Sequence, residues 1–229
     1  MSLRLLPGLL SLLLAMQGLA APDEAELERW LESDEPLPPS VSTADVNEGE
    51  LVFLARPPAR PVHHHFQHLT LDAQSRQTGW VRMEQCHENL DPVPATQIVF
   101  RPGRVRDLVI TQARGIARAW VEGDTVQLED VGRDARLCLR GRIRALTALP
   151  GGVWQLANGP YMRRFLDGYY PMRVTVVIEF AAAHLRPVRI RPAAQPGFSI
   201  ERAPGRIRLD AWFEGRLQTE IRFVDARSP

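Results

Sequence analysis

From Leu51 onward, hydrophobic and polar residues alternate with a period of two, the pattern of half-buried β-strands. The candidate strands are short, rich in Val, Ile and Trp, and separated by turn sequences such as Pro102-Gly103. They cover residues 51–56, 66–71, 79–87, 97–101, 105–111, 116–122, 125–130, 135–140, 153–156, 173–180, 206–213 and 217–224. This series predicts an all-β domain over residues 50–226, built as an antiparallel β-sandwich or a barrel-like fold.

The last two candidate strands carry enough apolar residues to predict how they pair. A three-residue loop, Glu214-Gly215-Arg216, would pair Phe213 with Leu217, whereas a two-residue loop would pair Phe213 with Arg216 and mix core with charge. We therefore expect a hairpin with the three-residue loop and a bulge at Gly215. Four residues are then expected to face away from the core: Arg206, Arg208, Asp210 and Trp212.

Strand periodicity fails between Ala157 and Pro171. Gly159-Pro160 and Gly168 flank a segment in which proline suits a first helical turn and glycine a C-terminal cap, so one short helix is predicted near residues 161–167. All three tyrosines lie here among arginines, and these two residue types dominate recognition surfaces. The predicted partner-binding residues are Tyr161, Arg163, Arg164, Asp167, Tyr169, Tyr170 and Arg173. The alternative is a connecting helix that plugs one end of the sandwich.

The N-terminus has the features of a secretory signal peptide. Arg4 precedes an apolar run that ends in the small residues Gly18 and Ala20, which predicts a signal over residues 1–20 with cleavage after Ala20. The run is shorter than the about 20 residues that span a bilayer, and no later segment is long and apolar enough. We therefore expect a periplasmic or secreted protein rather than an integral membrane protein. An uncleaved N-terminal anchor is the alternative.

Residues 21–49 form an acidic arm between the signal and the β domain. Leu27, Trp30 and Leu31 fall at helical spacing within residues 23–35, and prolines from Pro36 onward end the predicted helix and begin a linker. Its apolar stripe could dock on the β domain or on a partner.

Charge is strongly segregated along the chain. All 28 basic residues are Arg, which excludes Schiff-base lysine chemistry and a Walker-type lysine. Residues 23–50 hold ten acids and one Arg, a net of −9, whereas residues 51–229 hold 26 Arg and 17 acids, a net of +9. The basic body favours an envelope protein or an anionic surface as partner. Nucleic acid is not expected because aromatic residues are not interleaved with the arginines. Alternatively, the arm neutralises the body, or the charges are solvated.

The chain has two cysteines, Cys86 and Cys138, and both fall on the polar face of a predicted strand. In an oxidising compartment this predicts a Cys86–Cys138 disulfide. The alternative is a free Cys86 that serves as a metal ligand or nucleophile.

Five of the six histidines lie within residues 63–87. Neutral imidazole is a common metal ligand, and His63 and His65 would share one face of a strand, about 7 Å apart. The predicted metal ligands are His63, His65, His68 and His87, and a histidine-only site favours zinc or Cu(II). The alternatives are a solvated strand edge and adventitious metal binding. No cofactor besides copper or zinc is implied.

No complete catalytic constellation is present. Cys86 and His87 are adjacent in a strand and point to opposite faces, and there is no G-x-S-x-G elbow. The leading hypothesis is an exported, non-enzymatic binding or assembly factor that recognises a protein or an anionic envelope partner. A periplasmic copper- or zinc-binding protein is the alternative, and a hydrolase is a third class. The sequence leaves open the oligomeric state and whether the histidines and the tyrosine–arginine segment lie together.

Overall fold

The computed structural model describes residues 47–165 and 168–227, which are mostly β-strand. The predicted all-β fold is therefore confirmed. The predicted signal peptide, the helix of the acidic arm and Asp167 lie outside the described residues. Within the described ranges, no helix is long and apolar enough to cross a membrane.

The regular structure of the described residues consists of fifteen strands, one short α-helix and one 3-10 turn (Ala181–Ala183). The strands are β1 (Val52–Phe53), β2 (His64–Thr70), β3 (Trp80–Glu88), β4 (Val93–Val99), β5 (Val105–Glu122), β6 (Thr125–Arg144), β7 (Leu146–Leu149), β8 (Val153–Tyr161), β9 (Arg164–Phe165), β10 (Gly168–Tyr169), β11 (Met172–Glu179), β12 (Leu185–Arg191), β13 (Phe198–Ala203), β14 (Arg206–Glu214) and β15 (Leu217–Asp225). Helix α1 spans Ala73–Thr78 and begins with a capping box between Asp72 and Ser75.

The two larger sheets share a hydrophobic core. The larger has the order β1-β14-β11-β2-β3-β6-β4, with β13 added to β14 and β5 to β6. The smaller has the order β12-β15-β8-β7, and β9 pairs only with β10. Inward residues of both sheets, such as Val176 and Leu209 from the first and Leu156 and Phe223 from the second, belong to the same buried cluster. The described strands form open sheets that hydrogen bonds do not close into a barrel.

The predicted final hairpin is wrong. β14 pairs with β11 and β13, whereas β15 pairs with β8 and β12, so the chain passes from one sheet to the other at Gly215. Both strands have an apolar face, and placing one in each sheet buries Phe213 and Phe223 in the same core. The face assignment is correct, since Ile207, Leu209, Ala211 and Phe213 are buried and the residues between them are less so.

The predicted helix near residues 161–167 is also wrong. Strand β8 continues through Gly159-Pro160 to Tyr161, which pairs with Leu217 of β15 and buries its ring. The chain then forms a small ribbon in which Gly168 pairs with Phe165. Pairing with β15 at the start of the segment and with β9 at its end therefore replaces the local helical signals.

The disulfide prediction is confirmed. Cys86 and Cys138 are directly opposite each other in β3 and β6, with Cα atoms 4.1 Å apart, and no other cysteine exists. The bond lies on the sheet face opposite to the buried Val81 and Met83. The alternative of a free Cys86 is thereby ruled out.

The long β5–β6 hairpin merges four predicted strands and is curled. Phe100 N donates to Asp124 O at the hairpin tip (3.0 Å), and Arg144 N at the other end donates to Arg104 O (2.9 Å). One loop, residues 100–104, thus touches both ends of a hairpin that would be about 60 Å long if straight. Register shifts at three places in β5 accommodate the bend, one of them between Arg114 and Ile116.

We expect Gly115→Ala to lower the free energy of unfolding by about 1–2 kcal/mol, because Gly115 has a left-handed φ at a bulge. Its φ is +67°, and an added Cβ would lie 3.3 Å from Ala135 Cα. Gly123→Ala is the control, since Gly123 has a φ of +58° but no atom within 4 Å of an added Cβ. Urea unfolding should show a larger loss for Gly115→Ala; equal losses would contradict the close packing at this bulge.

Candidate functional site

The core of the sandwich becomes polar at one end, where the inward-facing residues of β2 and β3 change from apolar to polar. The inward positions of β2 change from Leu69 to Gln67 and His65, and those of β3 change from Met83 to Gln85 and His87. The register places His65 opposite His87 and Gln67 opposite Gln85. The two strands therefore bring their polar inward residues together beside the apolar core.

A cleft of about 790 Å³ opens onto this polar region. Its floor is buried and polar and consists of His65, Gln67, Gln85, His87, Asn158 and Tyr161, with the half-buried His63 beside them. Its walls are half-buried and apolar and include Ile98, Phe100, Ile143, Ala145 and Pro160. Its mouth carries four exposed arginines: Arg101, Arg104, Arg144 and Arg164. Among the described residues, no Asp or Glu lines the cleft.

A chain of hydrogen bonds runs through the floor in one direction. Tyr161 Oη donates to Gln67 Oε1 (2.7 Å), and Gln67 Nε2 donates to Gln85 Oε1 (3.3 Å). Gln85 Nε2 lies 2.6 Å from His87 Nε2, and His87 Nδ1 lies 2.8 Å from His63 Nε2. Because an amide nitrogen only donates, His87 Nε2 accepts, so its Nδ1 carries the hydrogen and donates to His63. The chain is complete with both imidazoles neutral.

Burial keeps the floor histidines uncharged near neutral pH. Loss of solvation lowers the pKa of His63 to about 4 and that of His65 to about 3. It also holds the pKa of His87 well below the usual value, and the neighbouring histidines lower it further. Burial raises the pKa of Tyr161, so its hydroxyl keeps its proton. The formal charge of the described cleft residues therefore resides on the arginines at the mouth.

The predicted metal ligands come together only in part. The His87 ring centroid lies 5.1 Å from that of His63 and 4.7 Å from that of His65. His68 lies on the opposite face of β2, where its Nε2 is 3.3 Å from a Glu179 carboxylate oxygen. Across the described part of the chain, no group of three or more His, Cys, Asp or Glu side chains is arranged to hold a metal ion. A zinc or copper site therefore stays a prediction, for which the described residues offer no complete set of ligands.

Two of the predicted partner-binding residues belong to the cleft. Tyr161 lies in the floor, with its ring centroid 5.0 Å from that of His65, and Arg164 lies at the mouth. The histidine cluster and the start of the tyrosine–arginine segment therefore share one cavity.

The other members of that segment have structural contacts outside the cleft. Arg163 Nε donates to Asp91 Oδ2 (2.8 Å), and Arg173 Nη2 donates to Asp210 Oδ2 (2.6 Å) on the outer face of the larger sheet. Tyr169 pairs through its backbone with Asn47, and the Tyr170 ring packs edge-on against Phe165. Asp167 lies outside the described residues.

We expect Arg163→Ala to lower the free energy of unfolding by roughly 1–2 kcal/mol, because it removes a bidentate arginine and leaves the partly buried Asp91 carboxylate without its partner. The side chains of Arg163 and Asp91 are 18% and 29% exposed. The control is Arg118→Ala, which breaks a pair with Glu129 whose side chains are 69% and 44% exposed. That change should be below about 0.5 kcal/mol in the same denaturant titration. Similar losses for both variants would contradict a structural role for Arg163.

Several cleft residues are not among those that the sequence predicts for a functional site. Gln67, Gln85 and Asn158 have a readable signal, because each is a polar residue at an inward position of a strand. Arg101, Arg104 and Arg144 have none, since only the curl of the β5–β6 hairpin brings them to the mouth.

Comparison of the chain with protein-family models and with curated proteins finds no match. Its function is therefore argued from the cleft itself. The described cleft residues combine an uncharged hydrogen-bonding floor, apolar walls and a cationic mouth.

Proposed function

We propose that this protein is an exported, non-enzymatic binding factor that holds an anionic molecule of the cell envelope in its cleft. One observation carries the proposal: none of the four arginines at the mouth has a carboxylate within ion-pair distance in the described ranges. Elsewhere on the domain, Arg76, Arg163 and Arg173 do have such partners. A concave site with several guanidinium groups that have no carboxylate partner among the described residues is suited to a carboxylate or a phosphate.

The charge of the whole body acts in the same direction. Residues 51–229 carry a net charge of +9, which favours the approach of an anion to the domain. The Cys86–Cys138 disulfide is compatible with an exported protein, because such bonds persist in oxidising compartments.

The cleft walls favour an amphiphile over a bare anion. Ile98, Phe100 and Ile143 are half-buried around the cavity, and a small inorganic ion would leave them in contact with water. The volume of about 790 Å³ lies in the range of small-molecule sites. The ligand proposed is therefore an anion with an apolar portion.

The floor histidines support binding more than catalysis. A catalytic base works best with a pKa near the operating pH, whereas burial lowers the pKa of His63 and His65 far below 7. The described cleft residues include no Asp or Glu, and Asp91, the carboxylate whose charge acts on His63, is bound by Arg163. His63 and His87 use their facing ring nitrogens to hydrogen-bond each other, and His87 also accepts from Gln85.

Calorimetric titration with dodecyl phosphate, dodecanol and dodecyltrimethylammonium tests the proposal. We expect the phosphate to bind most tightly, and binding to weaken as salt is raised. The double variant Arg101→Glu/Arg164→Glu should weaken dodecyl phosphate binding by roughly tenfold or more. The control Arg186→Glu/Arg189→Glu makes the same change in net charge on exposed residues of the edge strand β12 and should have little effect. Equal effects of the two double variants, or no preference for the anion, would contradict the proposal.

Zinc or copper binding by the histidines is the competing function. Because His63 Nε2 and His87 Nδ1 face each other at 2.8 Å, a metal bound by these atoms would have to replace their hydrogen bond. Elemental analysis of protein isolated without an affinity tag separates the two functions. We expect substoichiometric metal that does not change in His63→Ala/His65→Ala; a full equivalent that is lost in this variant would favour the metal function.

A further inference from the structure

We infer that the inner end of the ligand is an uncharged hydroxyl or amide group that hydrogen-bonds His65 and Asn158 in the floor of the cleft. This inference rests on the proposed function and narrows the class of ligand. It starts from two buried atoms, His65 Nε2 and Asn158 Oδ1, which have no hydrogen-bond partner among the described residues. Both residues line the cleft and are only 8% and 5% exposed.

The two glutamines of the floor do not supply the missing bonds. Gln67 and Gln85 each use both their amide oxygen and their amide nitrogen within the chain that runs from Tyr161 to His63. A buried polar atom without a partner costs about 1–3 kcal/mol. Two such atoms on the floor of one cleft therefore give a bound molecule with matching groups a large advantage over an apolar one.

The chemistry of the two atoms selects the group that fits. Asn158 Oδ1 only accepts hydrogen bonds, so the ligand must bring a donor. A neutral imidazole nitrogen donates or accepts according to its tautomer, and a hydroxyl complements either state. A carboxylate or phosphate at this depth would face the lone pairs of Asn158 and lose its solvation. An ammonium group is disfavoured by the four arginines at the mouth.

Burial orders the cleft from outside to inside. The arginines are exposed, the apolar walls are half-buried, and His65 and Asn158 are buried. A complementary ligand has its groups in the same order: an anion, an apolar segment and an uncharged polar end. This is an anionic amphiphile whose far end is hydroxylated or amidated, rather than a simple fatty acid.

Calorimetry with two series of probes tests the inference. One series is the ω-hydroxy fatty acids from hydroxyoctanoate to hydroxytetradecanoate, and the other is the unsubstituted acids of the same lengths. At the best length, we expect the hydroxylated acid to bind roughly tenfold or more tightly, because a site built around a hydroxyl discriminates strongly against its loss. In Asn158→Leu and in His65→Leu this preference should fall to near unity, with binding of the unsubstituted acid kept or improved.

Thr219→Val is the matched control. Thr219 is the cross-strand partner of Asn158, and its hydroxyl is also buried without a partner, but it does not line the cleft. The variant should keep the preference for the hydroxylated acid. Equal binding of the two series by the unaltered protein, with both weakened by Arg101→Glu/Arg164→Glu, would overturn the inference and leave the proposed function standing. No binding of either series, nor of dodecyl phosphate, would overturn both.

Discussion

Removal of the Cys86–Cys138 disulfide is expected to lower the free energy of unfolding by about 4 kcal/mol on the chain-entropy account. The two cysteines are separated by 52 residues, so the bond restricts a long segment of the unfolded chain. That segment contains β4, β5 and most of β6, which supply one wall of the cleft and most of a second hydrophobic cluster that includes Val126, Leu128 and Leu137. For a domain of this size, such a loss corresponds to a fall in melting temperature of about 8–16 °C.

Urea unfolding of the full chain, with and without dithiothreitol, measures this effect. Reduction should destabilise the unaltered protein and leave the double variant Cys86→Ser/Cys138→Ser unchanged, at the stability of the reduced protein. Because Cys86 lies between Gln85 and His87 in β3, and the side chains of these two neighbours form part of the cleft floor, the reduced protein should also bind dodecyl phosphate more weakly. A stability difference below about 1 kcal/mol would contradict the account, since the loop-closure argument predicts several times that value.

Mild acid is expected to destabilise the domain strongly through its neutral histidines. Between pH 6.5 and about 4, the unfolded chain binds protons at His63, His65 and His87 that the folded chain excludes, because burial lowers all three pKa values. Stability from this source is fully present above pH 6.5 and is lost as the pH falls. At pH 5.5 each histidine contributes a loss of about 1.4 kcal/mol, or about 4 kcal/mol for the three.

Denaturant titrations at a series of pH values test this expectation. Carboxylates whose pKa is lowered, such as Asp210 beside Arg173, lose their contribution to folding stability mainly below pH 4. They therefore do not interfere with the histidine effect between pH 6.5 and 4. The variant His65→Gln should reduce the proton uptake on unfolding by about one at pH 5.5. The control His184→Asn alters an exposed histidine at a left-handed φ of 50°, which Asn tolerates, and should not change the slope. Constant stability from pH 7 to 5.5 would show that the histidines are not held neutral by burial.

Local patterns in the sequence predict the strands and their faces well. The period of two assigns Ile207, Leu209 and Phe213 to the core, and the same parity places Cys86 and Cys138 on the opposite face, where they form their disulfide. Which strands pair is a tertiary outcome that local pattern does not determine. β14 and β15 therefore join different sheets despite the turn at Gly215, and β8 continues through a segment with the local features of a helix.

The candidate site was predictable to the extent that it lies on regular strands. Strand parity places His63 and His65 on one face, and the pairing of β2 and β3 brings them to His87. Gln67 and Gln85 occupy the next inward-facing positions of β2 and β3, so they extend the same polar surface toward the core. The arginines of the mouth come from a loop, the end of β6 and a ribbon, and their convergence depends on bulges and long-range contacts that periodicity does not encode.

The central claim is that one cleft binds an anion at its arginine mouth and an uncharged group at its buried floor. Nuclear magnetic resonance of histidine ring nitrogens and arginine Nε groups, during titration with ω-hydroxydodecanoate, tests it most directly. We predict that the signals of His65 and Arg164 shift together and saturate at the same ligand concentration, while those of His184 and Arg186 stay fixed. Shifts confined to arginines outside the cleft, or none at His65 and Arg164 when the ligand is in excess, would contradict the account.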